Sequence, residues 1–113
     1  MIKYVYKICL RTEWNVIKKN GKFYGTKKDL LDGFIHLSNR GQIKFTLKRY
    51  FANKKNLILL KISTLNLKNL IWEKSTNGIL FPHLYSSISL KDIKNSFKII
   101  LNKNRLHFIL LKN

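Results

Sequence analysis

The sequence predicts an α+β fold, because the spacing of its apolar residues changes from a period of two to about 3.6 and back along the first half of the chain. Each stretch with helix-like spacing is flanked on both sides by stretches with the alternation of a strand. The chain has 113 residues, a length that suits one domain around one core. We therefore expect a single domain over residues 1–113.

The first strand and the first helix are predicted from residues 2–10 and 12–20. Residues 2–10 alternate between two faces, as the residues of a strand do. Thr12 offers an N-cap for the helix, and Gly21 can end it in the left-handed conformation. The next stretch carries two glycines and a second capping residue, Thr26. It predicts a loop with at most one helical turn.

Three further elements follow from the same change of period. The run "FIHLS" at residues 34–38 predicts a buried strand, and apolar residues at helical spacing predict a helix near residues 39–52. The run "NLILLKIS" at residues 56–63 predicts the next strand. The segment "FPHLY" at residues 81–85 also predicts a strand, and Pro82 favours its start or a sheet edge because proline has no N–H to donate.

The C-terminal part leaves two alternatives open. Residues 90–101 fit a helix by spacing, and their β-branched and aromatic residues fit two strands joined at "NKN", residues 102–104. The last run, residues 105–111, predicts a strand. Its apolar residues lie on both faces, which favours a central position in a sheet.

The charge of the chain raises the question of a polyanionic partner. Lysine and arginine number 23 against 5 acidic residues, a net charge of +18. Such a charge attracts nucleic acid or phosphorylated ligands. The alternative is codon composition, since 19 of the 23 basic residues are lysine and they are spread along the chain. Nucleic acid is therefore one predicted partner.

Cys9 and the apolar runs bear on the compartment. A single cysteine inside a strand-like alternation cannot form an internal disulfide, and it fits a reducing compartment as a small buried residue. No apolar run approaches the roughly 20 residues that span a bilayer. We expect a cytoplasmic protein with no membrane partner.

The frame Phe-x-His-Leu occurs twice, around His36 and His83. In a strand, alternation places the neighbours of each histidine on the opposite face. We expect both imidazoles to face one solvent-reachable cleft that binds a ligand. The alternative is two core histidines satisfied by backbone carbonyls. The chain has no closely spaced pair of histidine or cysteine ligands, so no metal site is predicted.

Other candidate residues each have a functional and a structural interpretation. Glu73 can act as a base or orient a histidine or ribose, or it can form a surface salt bridge. Trp72 and Tyr85 can stack on a nucleobase or nicotinamide, or belong to the core. Ser38 can contact a ligand or cap the following helix, and Asp32 is explained by turn chemistry.

Several stretches together resemble one bacterial family, called domain of unknown function 952. The resemblance covers about residues 4–90 and includes "VYKIC", Trp14, "YGT", "DLLDGFIHLS", "WEKS" and "LFPHLY". The segments around the two histidines are the most specific. The chain departs from the family after Ser75, where Thr76, Asn77 and Gly78 replace the usual Arg-Gly-Gly turn.

The resemblance implies a fold similar to that of ADP-ribosyltransferases: a mostly antiparallel split sheet with two or three short helices. In those enzymes a residue of the first strand contacts nicotinamide dinucleotide, an aromatic residue of a later strand stacks on nicotinamide, and a glutamate stabilises the reacting centre. By chain order the corresponding residues here are Lys7, His36 and Glu73. NAD is the cofactor that the resemblance implies.

The sequence thus supports two functions of different classes. The first is binding of a nucleotide such as NAD or ADP-ribose in a histidine-lined cleft, as a transferase or hydrolase. The second is a basic, non-catalytic module that binds RNA or another polyanion. For the first, the predicted catalytic residues are His36, His83 and Glu73. The predicted cofactor-binding residues are Lys7, Ser38, Trp72 and Tyr85.

Overall fold

A computed structural model describes residues 2–75 and 77–111 of the protein. Within these ranges the helices are α1 (Arg11–Asn20), α2 (Lys27–Asp32) and α3 (Ile43–Tyr50), with short 3₁₀ turns at Arg40–Gln42 and Leu90–Asp92. The strands are β1 (Tyr4–Leu10), β2 (Lys22–Phe23), β3 (Ile35–His36), β4 (Leu57–Ser63), β5 (Leu70–Lys74), β6 (Leu80–Leu84), β7 (Ile88–Ser89), β8 (Ile93–Leu101) and β9 (His107–Leu110). None of the helices in these ranges has the length and apolar character needed to cross a bilayer.

The described strands form three antiparallel sheets. The largest has four strands in the order β1-β4-β8-β9, and a second has three in the order β3-β6-β5. A short pair, β2-β7, completes the set. The predicted α+β class with antiparallel sheets and three short helices is confirmed.

The four-stranded sheet is covered on both faces, and β4 shows why. Ile58, Leu60 and Ile62 of β4 pack into one core cluster with α1 and the smaller sheets. Leu57 and Leu59 point the other way, into a second cluster with α3. Because successive residues of a strand alternate between faces, one apolar run supplies both clusters.

The first helix begins one residue earlier than predicted. Its N-cap is Leu10 rather than Thr12, because the Glu13 carboxylate accepts the Leu10 backbone N–H at 2.7 Å. Gly21 ends it as predicted, with a left-handed φ of 79°.

The stretch predicted as a loop with at most one turn forms the six-residue helix α2. Thr26 and Asp29 form a reciprocal capping box, in which the Thr26 hydroxyl accepts from the Asp29 N–H and the Asp29 carboxylate accepts from the Thr26 N–H. The box satisfies two otherwise unpaired backbone donors and stabilises a longer helix. Gly33 ends it with a φ of 86°.

The second predicted helix, over residues 39–52, is divided into a 3₁₀ turn and α3. The cap is Asn39, whose side chain accepts the Gln42 backbone N–H at 3.0 Å, so Ser38 does not cap this segment. The reciprocal bond from the Asn39 N–H to the Gln42 side chain fixes the tight turn before α3 begins.

Pro82 lies in the middle of β6, the central strand of the three-stranded sheet, and the prediction of a strand start or edge was wrong. The Pro82 carbonyl accepts the Leu37 N–H at 3.1 Å, so the Pro82 nitrogen faces the same side. Leu37, one residue beyond the end of β3, lies opposite Pro82, and the reciprocal bond to the Leu37 carbonyl cannot form because proline has no N–H. The ladder therefore loses one bond at the end of β3.

Residues 93–110 form two strands, β8 and β9, so the two-strand alternative is the correct one for this segment. The turn between them is closed by the Asn102 N–H donating to the Leu106 carbonyl at 2.9 Å. The expected central position of the last strand was wrong, because β9 lies at the edge of the described sheet. Phe108 and Leu110 consequently remain exposed.

Candidate functional site

The two histidines lie opposite each other on neighbouring strands. His36 of β3 is paired in register with His83 of β6, and their ring centroids are 5.8 Å apart. Both rings reach solvent, with 29% and 14% of the side chains exposed. The two imidazoles therefore lie side by side as expected, and the ligand-binding cleft around them stays a prediction.

Phe34 occupies the space beside the two imidazoles. Its ring centroid lies 4.4 Å from that of His36 and 4.0 Å from that of His83, and Tyr85 follows at 5.4 Å. Phe34 precedes His36 by two residues and Tyr85 follows His83 by two, so alternation brings all four rings to one side. These four rings are called the histidine face below.

His83 is anchored at one nitrogen and open at the other. Its Nδ1 lies 2.8 Å from Oε1 of Glu73, a residue of the adjacent strand β5. Because a carboxylate only accepts hydrogen bonds, Nδ1 carries a proton, and in the neutral form of the ring the lone pair is at Nε2. Nε2 has no protein partner among the described residues, and no unpaired side-chain nitrogen or oxygen in those residues is buried. The lone pair therefore faces solvent.

Tyr85 also forms a hydrogen bond with Glu73. Its hydroxyl donates to the same Oε1 at 2.6 Å. The Tyr85 hydrogen bond, followed by that of His83, lowers the pKa of Glu73, and the Glu73 carboxylate raises the pKa of Tyr85. Glu73 is thus held as a carboxylate beside the imidazole.

His36 is held differently, with a carboxylate at each ring nitrogen. Nδ1 lies 2.6 Å from Oδ1 of Asp29, and Nε2 lies 2.9 Å from Oδ2 of Asp32. His36 is therefore held by a protein carboxylate at each ring nitrogen, whereas only Nδ1 of His83 has a protein partner among the described residues.

Asp29 is the buried centre of the site, and sequence reasoning missed it. Besides His36 Nδ1, its carboxylate accepts from the Lys7 ammonium at 2.9 and 3.0 Å and from the backbone N–H groups of His36 and Thr26. Its side chain is 1% exposed. The available signal was the spacing of Thr26 and Asp29, which is that of a capping box.

Lys7 lies beneath the histidine face. Its ammonium donates to Asp29 and, at 3.0 Å, to the His36 carbonyl, and its side chain is 7% exposed. Burial lowers the pKa of Lys7 against the opposing charge of Asp29. The ammonium is enclosed by protein, so the predicted direct contact of Lys7 with a cofactor is replaced by support of His36.

Comparison with known proteins identifies the family. The family model described as "Protein of unknown function (DUF952)" matches residues 8–96. The chain belongs to the DUF952 family. A comparison with curated proteins gives no match.

Solved structures of one bacterial protein are similar to this chain. The crystal structure of CC0527 from Caulobacter crescentus has a TM-score of 0.86 at 36% identity, over 93% of each chain. A crystal structure of its double mutant gives 0.86 at 35% identity, again over 93% of each chain. The solution NMR structure of CC0527 gives 0.81 at 36% identity, over 91% of this chain and 90% of that chain.

Two predicted cofactor-binding residues of this DUF952 chain do not lie on the histidine face. The Ser38 hydroxyl is buried and shares a hydrogen bond of 2.9 Å with the Thr46 hydroxyl. Trp72 precedes Glu73 on β5 and packs, half-buried, against the core cluster that contains Ile58. Alternation along β5 therefore turns Trp72 away from the face to which Glu73 belongs.

The segment that differs from the family's usual Arg-Gly-Gly turn, residues 76–78, follows the end of β5. Thr76 is outside the described residues. Asn77 donates its N–H to the Ser75 hydroxyl at 3.3 Å, and Gly78 donates its N–H to the Ser75 carbonyl at 2.9 Å. Gly78 adopts a φ of 77°, a conformation that glycine takes without strain. The described part of the segment therefore forms a tight turn around Ser75.

Two cavities of about 510 and 590 Å³ lie away from the histidine face. The first lies between α1 and the strands β8 and β9, and the second is lined by residues of the β4–β5 and β6–β7 connections. Neither is lined by His36, His83 or Glu73. The histidines therefore lie on a sheet face outside both cavities.

The buried ion pair predicts a dependence of stability on acid pH. Burial alone would raise the pKa of Asp29, but the hydrogen bond from His36 and the charge of Lys7 outweigh it and hold that pKa well below its usual range. A depressed carboxyl pKa stabilises the folded state above the unfolded-state value of about 3.9. We expect the free energy of unfolding to fall as the pH drops below about 4 toward the folded-state pKa.

The measurement is urea unfolding at successive pH values, together with an NMR titration of the Asp29 carboxyl carbon. The carboxyl signal should stay in its ionised position at a pH of about 4, where a free aspartate is half protonated. A normal titration midpoint for Asp29 would contradict the expectation.

Proposed function

We propose that the histidine face binds a nucleotide such as NAD or ADP-ribose, and that the protein is a cytoplasmic transferase or hydrolase acting on it. The observation that carries the proposal is the arrangement of His83, whose Nδ1 is anchored by Glu73 while Nε2 is open to solvent. An imidazole oriented by a carboxylate is a common general base.

The surroundings of His83 suit a nucleotide. The Phe34 and Tyr85 rings provide flat apolar surface beside the imidazoles, on which a base or nicotinamide can stack. The net charge of +18 attracts phosphates toward the molecule. The division into four-stranded and three-stranded antiparallel sheets supports the further proposal of an ADP-ribosyltransferase-like fold.

The proposal gives each polar group a role. NAD supplies a ribose carbon whose bond to nicotinamide breaks, with the bonding electrons leaving on the nicotinamide nitrogen. His83 Nε2 takes the proton of the water or hydroxyl that forms the new bond to that carbon. Glu73 stabilises the imidazolium that results. His36 is held between Asp29 and Asp32, with its ring against Phe34.

The test is a thermal-shift panel of NAD, nicotinamide mononucleotide and ADP-ribose. A ligand at about 100 times its dissociation constant should add roughly 2.7 kcal/mol of stability. The shift should be lost in His83→Gln and kept in His107→Gln. His107 is a matched control because it lies on β9, with Nε2 bonded to the Lys54 carbonyl at 2.9 Å.

The second candidate function, a non-catalytic module that binds RNA, rests on the net charge alone. Phosphate neutralisation makes such binding fall steeply with salt, with little dependence on base sequence. Binding of single-stranded RNA at low salt that is unchanged by His83→Gln, with no thermal shift from the nucleotides, would favour this function over the first.

A further inference from the structure

We propose that the groove between α1 and the strands β8 and β9 is a second binding site, which takes a nucleoside phosphate. This groove is the cavity of about 510 Å³, a volume within the roughly 300–1,000 Å³ of small-molecule sites. It shares no lining residue with the histidine face. The inference therefore does not depend on the proposed function.

The groove has a floor of strands and a wall of helix. Ile58 of β4 is paired with Lys98 of β8, which is paired with Leu110 of β9, so the three residues form one row across the sheet. Trp14 of α1 packs against the core cluster that contains Ile58, and this contact fixes the helix over the sheet. The row and the helix together define the groove.

The charge of the groove points to an anionic ligand. Three of its lining residues are cations, Arg11, Lys18 and Lys98, and none is acidic. All three side chains are exposed, and none forms an ion pair within residues 2–75 and 77–111. By contrast, Lys7 and Lys28 are neutralised by carboxylates. The groove therefore offers three uncompensated charges, and the guanidinium of Arg11 can bind a phosphate in bidentate fashion.

An aromatic residue of the groove points to a ring in the same ligand. Trp14 lines the groove and is half-buried, so part of its ring is accessible. Phe97 borders the groove, but its ring packs against the second core cluster on the opposite face of the sheet. The Lys18 ammonium lies 5.4 Å from the Trp14 ring centroid, within the range of a cation–π contact. Aromatic rings beside cations are the combination that binds a base together with its phosphate. Asn15 and Ser96 add polar groups that can contact a base edge or ribose.

One ligand chemistry can reach this groove from two sources, a free mononucleotide or the 5′-phosphorylated end of an RNA strand. The test is a titration of nitrogen-labelled protein followed by NMR, with AMP, adenosine, and a short oligoadenylate with and without its 5′-phosphate. We expect AMP or the phosphorylated oligomer to shift the amides of Trp14, Lys18 and Lys98 in a saturable way. Adenosine should bind more weakly because it lacks the phosphate.

Two triple variants with the same net charge test whether binding depends on the cations of the groove or on the charge of the whole protein. The groove variant combines Arg11→Gln, Lys18→Gln and Lys98→Gln. The control combines Lys44→Gln, Lys48→Gln and Lys55→Gln, all exposed and outside the groove. The groove variant should weaken binding at least about tenfold, which is 1.4 kcal/mol, and the control should change it much less. Both must retain the dispersed spectrum of the folded protein.

The outcomes separate this site from the histidine face. Saturable shifts in the groove with AMP support a free nucleotide, and shifts with the phosphorylated oligomer alone support an RNA end. Equal weakening in the two triple variants would show a general charge effect and overturn the proposal. Shifts confined to amides near His36 and His83 would also overturn it while supporting the histidine face. No shift with any ligand would overturn it as well.

Discussion

Replacing Asp29 with asparagine is expected to lower the free energy of unfolding by about 3–5 kcal/mol, the typical cost of breaking a buried ion pair from one side. The change leaves the Lys7 ammonium buried without a negative partner, since that side chain is only 7% exposed. It also removes the carboxylate that His36 Nδ1 contacts at 2.6 Å. Such a loss is a large part of the total stability of a small domain.

Urea unfolding of the wild type and of Asp29→Asn measures the effect. Asp32→Asn is the matched control, because it makes the same chemical change on the same helix at a side chain that is 39% exposed. Its effect should be much smaller. The double variant Lys7→Met with Asp29→Asn should recover part of the loss, since it leaves no unpaired charge. Equal stability of Asp29→Asn and Asp32→Asn would contradict the buried ion pair.

Replacing His83 with glutamine is expected to slow the release of nicotinamide from NAD by roughly 10²–10⁴-fold, the usual contribution of a general base. The reason is the loss of the Nε2 lone pair, which faces solvent while Nδ1 contacts Glu73. Glutamine can still hydrogen-bond to Glu73 but cannot take up a proton at neutral pH. This expectation rests on the proposed function.

Chromatographic measurement of nicotinamide at saturating NAD provides the test, with His107→Gln as control. Glu73→Gln gives a further readout, since loss of the carboxylate that holds Nδ1 of His83 should also lower the rate. A His83 variant as active as the His107 variant would contradict the assignment of the base.

Two strands of the four-stranded sheet, β1 and β4, were predictable because their signal is local, whereas the pattern of β8 fitted a helix as well. The apolar run of β4 and the alternation in β1 identify strands without knowledge of their partners. The place of a strand within a sheet depends instead on distant segments. Pro82 lies in a central strand although it cannot donate a hydrogen bond to the segment after β3, and β9 is an edge strand because no described strand pairs with its outer side.

The candidate site was partly predictable for a similar reason. The repeated Phe-x-His-Leu frame indicated His36 and His83, and the scarcity of acidic residues drew attention to Glu73. The burial of the Lys7 side chain was not predictable, because a lysine in an alternating strand is usually exposed. Its burial depends on Asp29, a partner 22 residues away that the local pattern does not connect to it.

The positive charge of the chain affects its solubility because β9 is an exposed edge strand. One side of β9 has no neighbouring strand in the described sheet, and Phe108 and Leu110 are exposed beside it. Such an edge is a template on which a second copy of the chain can add a strand and aggregate. A net charge of +18 makes copies repel one another. Salt shortens this repulsion to about 8 Å at physiological ionic strength, so the protection of the edge weakens as salt is added.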